Sequence, residues 1–141
     1  MKPLEIIKNL YLGNSQTPKK LELLKKYNII AIINISAGKI LYPSEIEYLK
    51  INMTDSSESN ISPHLDLVVE FIHKYISKGC VLVHCQGGIS RSPAFIVAYL
   101  TKYHEMTVDT AVKYMKSKKK SITPKENFID AIRIWKQGTK N

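Results

Sequence analysis

Arginine is nearly absent from this sequence. Of its 21 basic residues only two, Arg91 and Arg133, are arginine, and the other 19 are lysine. Cysteine is equally scarce: Cys80 and Cys85 are the only two in 141 residues, too few for a disulfide scaffold. They stand five positions apart in a segment that reads as a strand. Five extended residues span about 16 Å, whereas a disulfide needs Cα atoms within about 7 Å, so no bridge between them is expected. Apolar runs are short, the longest reaching about half of the roughly 20 residues that a membrane-spanning helix needs. Met1-Lys2-Pro3-Leu4-Glu5 contains no apolar signal region. Lys2 occupies the place of the glycine that N-myristoylation requires, and no prenylation cysteine ends the chain. No internal repeat or low-complexity linker interrupts it. Together these absences predict an intracellular protein, cytoplasmic or nuclear, in a reducing compartment.

What is present is an ordinary globular balance, 44% hydrophobic and 23% charged, which excludes a disordered chain. The length predicts one domain over residues 1–141. Such a domain buries roughly two-thirds of its unfolded surface. With 12 acidic residues the formal net charge is +9. That favours an anionic partner without choosing among phosphates, nucleic acid, acidic proteins and lipid.

Leu4 to Ile7 and Leu10 to Leu12 read as short strands. Thr17-Pro18 reads as a cap followed by proline at the first helical position, opening a helix with Leu21, Leu23, Leu24 and Tyr27 on its apolar face. Ile29 to Ile35 is a nearly continuous apolar run, which predicts a strand buried on both faces. Ser36 to Ser44 reads as loop, Ile46 to Met53 as a strand, and Thr54 to Asn60 as polar and irregular. Ser62-Pro63 repeats the cap signal before Leu65, Val68, Val69, Ile72 and Ile76 at helical spacing. Cys80 to Val83 is a short buried strand, and helices are predicted from Pro93, Thr107 and Pro124. The alternation predicts an α/β fold: a single-domain three-layer sandwich with a mostly parallel sheet of about five strands flanked by about six helices.

The chemistry concentrates in Val81-Leu82-Val83-His84-Cys85-Gln86-Gly87-Gly88-Ile89-Ser90-Arg91-Ser92-Pro93, which reads strand, tight loop, helix. Successive backbone N–H groups in such a loop can cradle an anion, and the helix adds its positive N-terminal end. Gly87 and Gly88 permit a sharp turn and close backbone approach to a ligand. Arg91 can hold two phosphate oxygens in a fork, a geometry lysine does not reproduce. Cys85 stands at the mouth of the cradle. A free thiol is only a few per cent ionised at neutral pH, but amides, a helix N-terminus and an arginine all favour the thiolate. Such a sulfur facing a bound phosphate is a ready nucleophile, and its attack gives a phosphocysteine that water must then hydrolyse.

His84-Cys85, five residues, then Arg91-Ser92 resembles the signature of the cysteine-dependent protein tyrosine phosphatases. More closely, the chain resembles the dual-specificity protein phosphatases over nearly its whole length. Leu10-Tyr11-Leu12-Gly13-Asn14 is similar to that family's N-terminal motif, Ile32-Ile33-Asn34-Ile35-Ser36 to its early strand, and Ser90-Arg91-Ser92-Pro93 with Ala98-Tyr99-Leu100 to its post-loop helix. The resemblance implies a protein phosphatase that hydrolyses phosphotyrosine and phosphoserine or phosphothreonine. Cys85 would be the nucleophile and Arg91 the phosphate clamp. The amides of Gln86, Gly87, Gly88, Ile89, Ser90 and Arg91 would line the loop. Ser92 would stabilise the departing thiolate, and His84 would hold the loop and tune Cys85. A seryl or threonyl alkoxide hardly leaves without a proton donor. The family takes one from an aspartate about thirty residues upstream of the cysteine, the spacing of Asp55. Asp66, Asp109 and Asp130 fall within predicted helices.

The chain departs from the family pattern in two places. Gly87 replaces a common alanine, and the Arg-Pro and Pro-Asn elements before the last helix become Lys119-Lys120 and Pro124-Lys125. The competing readings are the same chemistry on a phosphoinositide, an RNA 5′-triphosphate or a phosphoglucan, and a phosphate-binding module without turnover. No lysine lies between Gln86 and Ser90, which argues against a phosphoinositide. The expected partners are phosphoproteins, a kinase among them, with no nucleic acid and a monomeric state. Lys116, Lys118, Lys119 and Lys120 form a basic run at a helix end, read first as a solvated cap and second as a weak contact with an anionic surface. His64, His73 and His104 lack paired ligand spacing, so neither a metal nor another cofactor is expected.

Overall fold

The apolar runs become the strands of one sheet in a computed structural model that describes residues 1–138. Its strands are β1 (Leu4–Ile7), β2 (Leu10–Gly13), β3 (Ile29–Asn34), β4 (Glu47–Lys50) and β5 (Cys80–His84). The spatial order is β1-β2-β5-β3-β4. β1 and β2 form an antiparallel hairpin, and all other neighbours run parallel. Five α-helices follow in chain order: α1 (Leu21–Lys26), α2 (Leu65–Ile76), α3 (Arg91–Tyr103), α4 (Val108–Lys118) and α5 (Glu126–Gly138). Short 3₁₀ turns cover Thr17–Lys19 and Ser62–His64.

Alternation along the central strands explains the layers. Val81, Val83 and Cys85 face a large cluster that includes Val68, Phe95, Met115 and Phe128 from α2 to α5. Cys80 and Leu82 face the opposite side, where Leu24 of α1 closes a smaller cluster with Ile29, Ile32 and Ile46. The three-layer α/β expectation therefore holds, with one thin helical layer and one thick one. Helix α3 is the axis of the thick layer, and every residue from Ser92 to Thr101 is buried. A helix apolar on all sides needs neighbours on all sides, and α2, α4, α5 and the sheet provide them.

Five α-helices are present among the described residues, close to the expected number. Two local expectations are corrected. Thr17 does not cap α1. It is buried beneath Gly13, where its Oγ1 accepts from the Asn14 N–H at 3.0 Å and donates to the Met1 carbonyl at 2.9 Å, and α1 begins only at Leu21. The strand expected over Ile46 to Met53 shortens to Glu47–Lys50. Ile51 still donates to the Asn34 carbonyl at 2.9 Å, after which the backbone leaves the sheet edge. Thr107 does cap its helix, accepting from the Thr110 N–H at 3.1 Å.

The register positions the site. Gly13 lies opposite His84, His84 opposite Asn34, and Asn34 opposite Lys50. The carboxyl ends of β2, β5, β3 and β4 therefore form one row, the edge at which open α/β sheets bind ligands.

Candidate active site

Cys85 leaves the end of the central strand β5 and is 2% exposed. Its sulfur lies 3.3 Å from the Gly88 N–H and 3.1 Å from the Ser92 hydroxyl. Both groups can donate to a thiolate. Two carbonyls of the loop are held by the scaffold: Ser15 N–H donates to the Gln86 carbonyl at 3.0 Å and Thr123 N–H to the Ile89 carbonyl at 2.8 Å. In a trans peptide the C=O and the next N–H point in opposite directions. The N–H groups of Gly87 and Ser90 are thereby turned away from the scaffold and into the loop. The N-terminus of the buried helix α3 opens on the same space, adding its positive end.

Glycine is required at only one of the two adjacent positions. Gly88 has φ +70, and a Cβ there would stand 2.9 Å from the Gly13 carbonyl oxygen. The left-handed conformation costs an ordinary residue on the order of 1–3 kcal/mol, and the contact with β2 adds to it. A Cβ on Gly87 would meet only the Ile89 side chain at 3.7 Å, an ordinary contact. An alanine would fit at Gly87.

Arg91 opens α3, and its Nη1 donates to the Met53 carbonyl at 2.8 Å. Its buried Nε has no hydrogen-bond partner among the described residues. Arg91 is thus tied to the segment that carries Asp55, two residues on. Asp55, Arg91 and Gln86 line one cleft of about 530 Å³ together with Ala37, Asn52, Met53 and Thr54. That volume lies in the range of small-molecule sites. The Asp55 carboxylate is 37% exposed and stands 3.9 Å from the Lys125 ammonium. Two of the three competing aspartates are engaged elsewhere: Asp66 in α2 accepts from the Trp135 indole, and Asp109 in α4 pairs with Arg133 at 2.9 Å.

His84 precedes the cysteine and is 3% exposed, and its Nδ1 has no partner among the described residues. Burial pushes its pKa down from 6.5 to about 4; a backbone hydrogen bond at Cys85 opposes the shift, and the Lys50 charge adds to it. The imidazole is therefore neutral at physiological pH. An unfolded chain takes up this proton near pH 6.5, while the native state resists until about pH 4. The contribution of His84 to stability is thus whole above pH 6.5 and is lost as the pH falls towards 4, by roughly 3 kcal/mol. Urea unfolding between pH 7.5 and pH 4 should show a steeper loss in the wild type than in His84→Gln. Equal slopes would refute the buried neutral imidazole.

Several residues that shape the site carried no assigned role in the sequence. Gly13 at the end of β2 and Ser15 just beyond it seat the loop that follows Cys85. Asn34 and Ser36 brace the neighbouring loop: the Ser36 hydroxyl donates to Asn34 Oδ1 at 2.5 Å, Asn34 Nδ2 to the Gly38 carbonyl at 3.1 Å, and Lys50 Nζ to the Ser36 carbonyl at 2.7 Å. The family-like motifs at Leu10–Asn14 and Ile32–Ser36 were the available signal, but a motif does not say what it touches. Asn127 of α5 had no such signal, and its Nδ2 donates to the carbonyls of Ser56 and Ser59. The lysine run at the end of α4 stays at the surface, with Lys118 Nζ 5.0 Å above the Tyr114 ring.

Comparison with known proteins matches this arrangement to a family. The model of the dual specificity phosphatase catalytic domain matches residues 10–138. Human dual specificity protein phosphatase 16 is 37% identical over 142 residues, covering 99% of this chain and 21% of that protein. Mouse dual specificity protein phosphatase 19 is 34% identical over 131 residues, covering 92% and 60%. The chain thus spans about a fifth and three-fifths of the length of these curated relatives. Among solved structures, a human tyrosine phosphatase-like serine/threonine/tyrosine-interacting protein superposes with a TM-score of 0.92 at 30% identity, covering 96% of this chain and 95% of that one. DUSP15 superposes with a TM-score of 0.87 at 28% identity, covering 95% and 86%. With the family model matched from β2 to the end of α5, this chain belongs to the dual specificity phosphatase catalytic-domain family.

Proposed function

We propose that this chain is a protein phosphatase that hydrolyses phosphotyrosine and phosphoserine or phosphothreonine through a phosphocysteine. The observation that carries the reading is the setting of the Cys85 sulfur: buried at a strand end, within hydrogen-bond distance of Gly88 and Ser92, in a loop whose Gln86 and Arg91 line one cleft with Asp55. The substrate phosphoryl group lies in the loop, its oxygens held by inward amides and the Arg91 fork. This preorganised positive environment stabilises the charge spread over those oxygens in the transition state. The Cys85 thiolate attacks phosphorus in line while the bond to the leaving oxygen breaks. Asp55 gives that oxygen its proton, releasing an alcohol or phenol. The Asp55 carboxylate then takes a proton from water as the water attacks the phosphocysteine. Phosphate leaves, and the thiolate returns to the donors at Gly88 and Ser92. His84, as a neutral buried imidazole, holds the turn behind the cysteine.

Phosphoproteins, protein kinases among them, are the proposed substrates. Every side chain in this scheme belongs to one chain, which supports a monomer as the working unit. The two cysteines are both free and buried, which suits a reducing compartment and supports an intracellular site of action. Among the described residues no helix is long and apolar enough to cross a membrane.

The test is a substrate panel: a phosphotyrosine peptide, a phosphothreonine peptide, a phosphoinositide, an RNA 5′-triphosphate and a phosphoglucan. Vanadate-sensitive phosphate release from both peptides is expected. Turnover confined to the other three would move the substrate class, and no turnover of any would leave a phosphate-binding module.

A further inference from the structure

The acid-bearing segment, residues 54–60, has no apolar side chain to anchor it. Its apolar neighbours lie at its ends, Met53 packed against the core and Ile61 buried within it. Between them the loop is held by polar contacts. Thr54 Oγ1 and Ser59 Oγ lie 2.7 Å apart, Ser56 Oγ and Ser59 Oγ 3.0 Å apart, and Ser59 N–H donates to the Ser56 carbonyl at 3.3 Å. All of these lie within the loop and fix its shape, not its place. Its place is set from the first turn of α5. Asn127 Nδ2 donates to the Ser56 carbonyl at 3.1 Å and to the Ser59 carbonyl at 2.9 Å, using both of its protons. The Lys125–Asp55 pair at 3.9 Å is half exposed and adds little.

The same stretch also grips the phosphate loop. Thr123 N–H donates to the Ile89 carbonyl at 2.8 Å, and Lys125 N–H to Ser90 Oγ at 3.1 Å. Five consecutive residues, 123–127, thus hold the loop that bears Cys85 with one end and the loop that bears Asp55 with the other. We propose that Asn127 is the positioning residue that sets the height of Asp55 above the phosphate loop, an inference that rests on the reading of Asp55 as proton donor. Asn127 touches neither substrate nor reacting atom. Its effect passes through Asp55 and is therefore felt only where proton donation matters.

The test compares Asn127→Ala, Asn127→Asp, Asp55→Ala and the double variant Asp55→Ala/Asn127→Ala, using a phosphothreonine peptide and 4-nitrophenyl phosphate. A small displacement of a catalytic group costs up to about 10²-fold. Asn127→Ala should lower kcat on the peptide by about 10- to 100-fold with KM nearly unchanged, and on the nitrophenyl ester much less, since that leaving group departs without help. Asn127→Asp keeps the size, places oxygen against two carbonyls and should give the same selective loss. The double variant should be no slower than Asp55→Ala. Vanadate inhibition should match the wild type in the Asn127 variants, showing that the phosphate loop is intact. Equal losses on both substrates, further loss in the Asp55→Ala background, or weakened vanadate inhibition would overturn the role of Asn127 alone. If Asp55→Ala itself costs nothing on the peptide, the underlying reading of the acid fails, and the inference with it.

Discussion

Cys85→Ser is expected to lower turnover of every substrate in the panel by roughly 10⁴- to 10⁶-fold, the scale of losing a nucleophile from a working constellation. The change is one atom, sulfur to oxygen, and the fold should not register it. The side chain is 2% exposed, and its two polar contacts, Gly88 N–H and Ser92 Oγ, suit a hydroxyl as well as a thiol. What is lost is the anion. Thiols in general ionise far more readily than hydroxyls, and a seryl hydroxyl needs a general base. Neither of the groups bonded to the side chain is one. Binding of inorganic phosphate should persist, because the inward amides, the end of α3 and Arg91 are unchanged. Binding without turnover, measured by calorimetry beside a phosphate-release assay, is the expected pair of results. Turnover within tenfold of the wild type would remove Cys85 from the chemistry.

Asp55→Ala is expected to slow the phosphothreonine peptide by about 10²- to 10⁴-fold, the usual contribution of general acid catalysis. The loss should depend on the leaving group. An alkoxide must be protonated as it departs, whereas a phenolate with a delocalised charge departs more easily. Losses should therefore fall in the order phosphothreonine, phosphotyrosine, nitrophenyl phosphate. Phosphate binding should change little, since Asp55 is not part of the loop at residues 85–91. Unchanged turnover of the phosphothreonine peptide would end the assignment.

The parts of this site that lie close together in the chain were legible in the sequence. Residues 84–92 form one strand-loop-helix unit, and the spacing of Cys85, Gly88, Arg91 and Ser92 carries its own geometry. The nearly continuous apolar runs of Ile29 to Ile35 and Cys80 to Val83 marked the central strands. Local signals misled where a tertiary contact claimed the group. Thr17 looked like a cap, but its hydroxyl serves Asn14 and Met1. Ile46 to Met53 looked like one strand, but its last residues leave the sheet edge and Met53 offers its carbonyl to Arg91.

The departure at Pro124-Lys125 shows the same limit from the other side. By sequence it removed an asparagine from the family's usual position. In the fold, the Lys125 backbone holds Ser90, and Asn127, two positions on, holds the loop that carries Asp55. The sequence by itself determined the α/β class, the central strands and a loop suited to one phosphoryl group, because these depend on periodicity and on residues within a few bonds of each other. Only the tertiary structure decided that Gly13 backs Gly88, that Arg91 is tied to the root of the Asp55 loop, and that residues 123–127 bridge both loops. Those contacts join residues roughly 35 to 75 positions apart in sequence. Their partners are selected when the helices pack on the sheet and close long loops, a step for which no local pattern along the chain encodes the pairing.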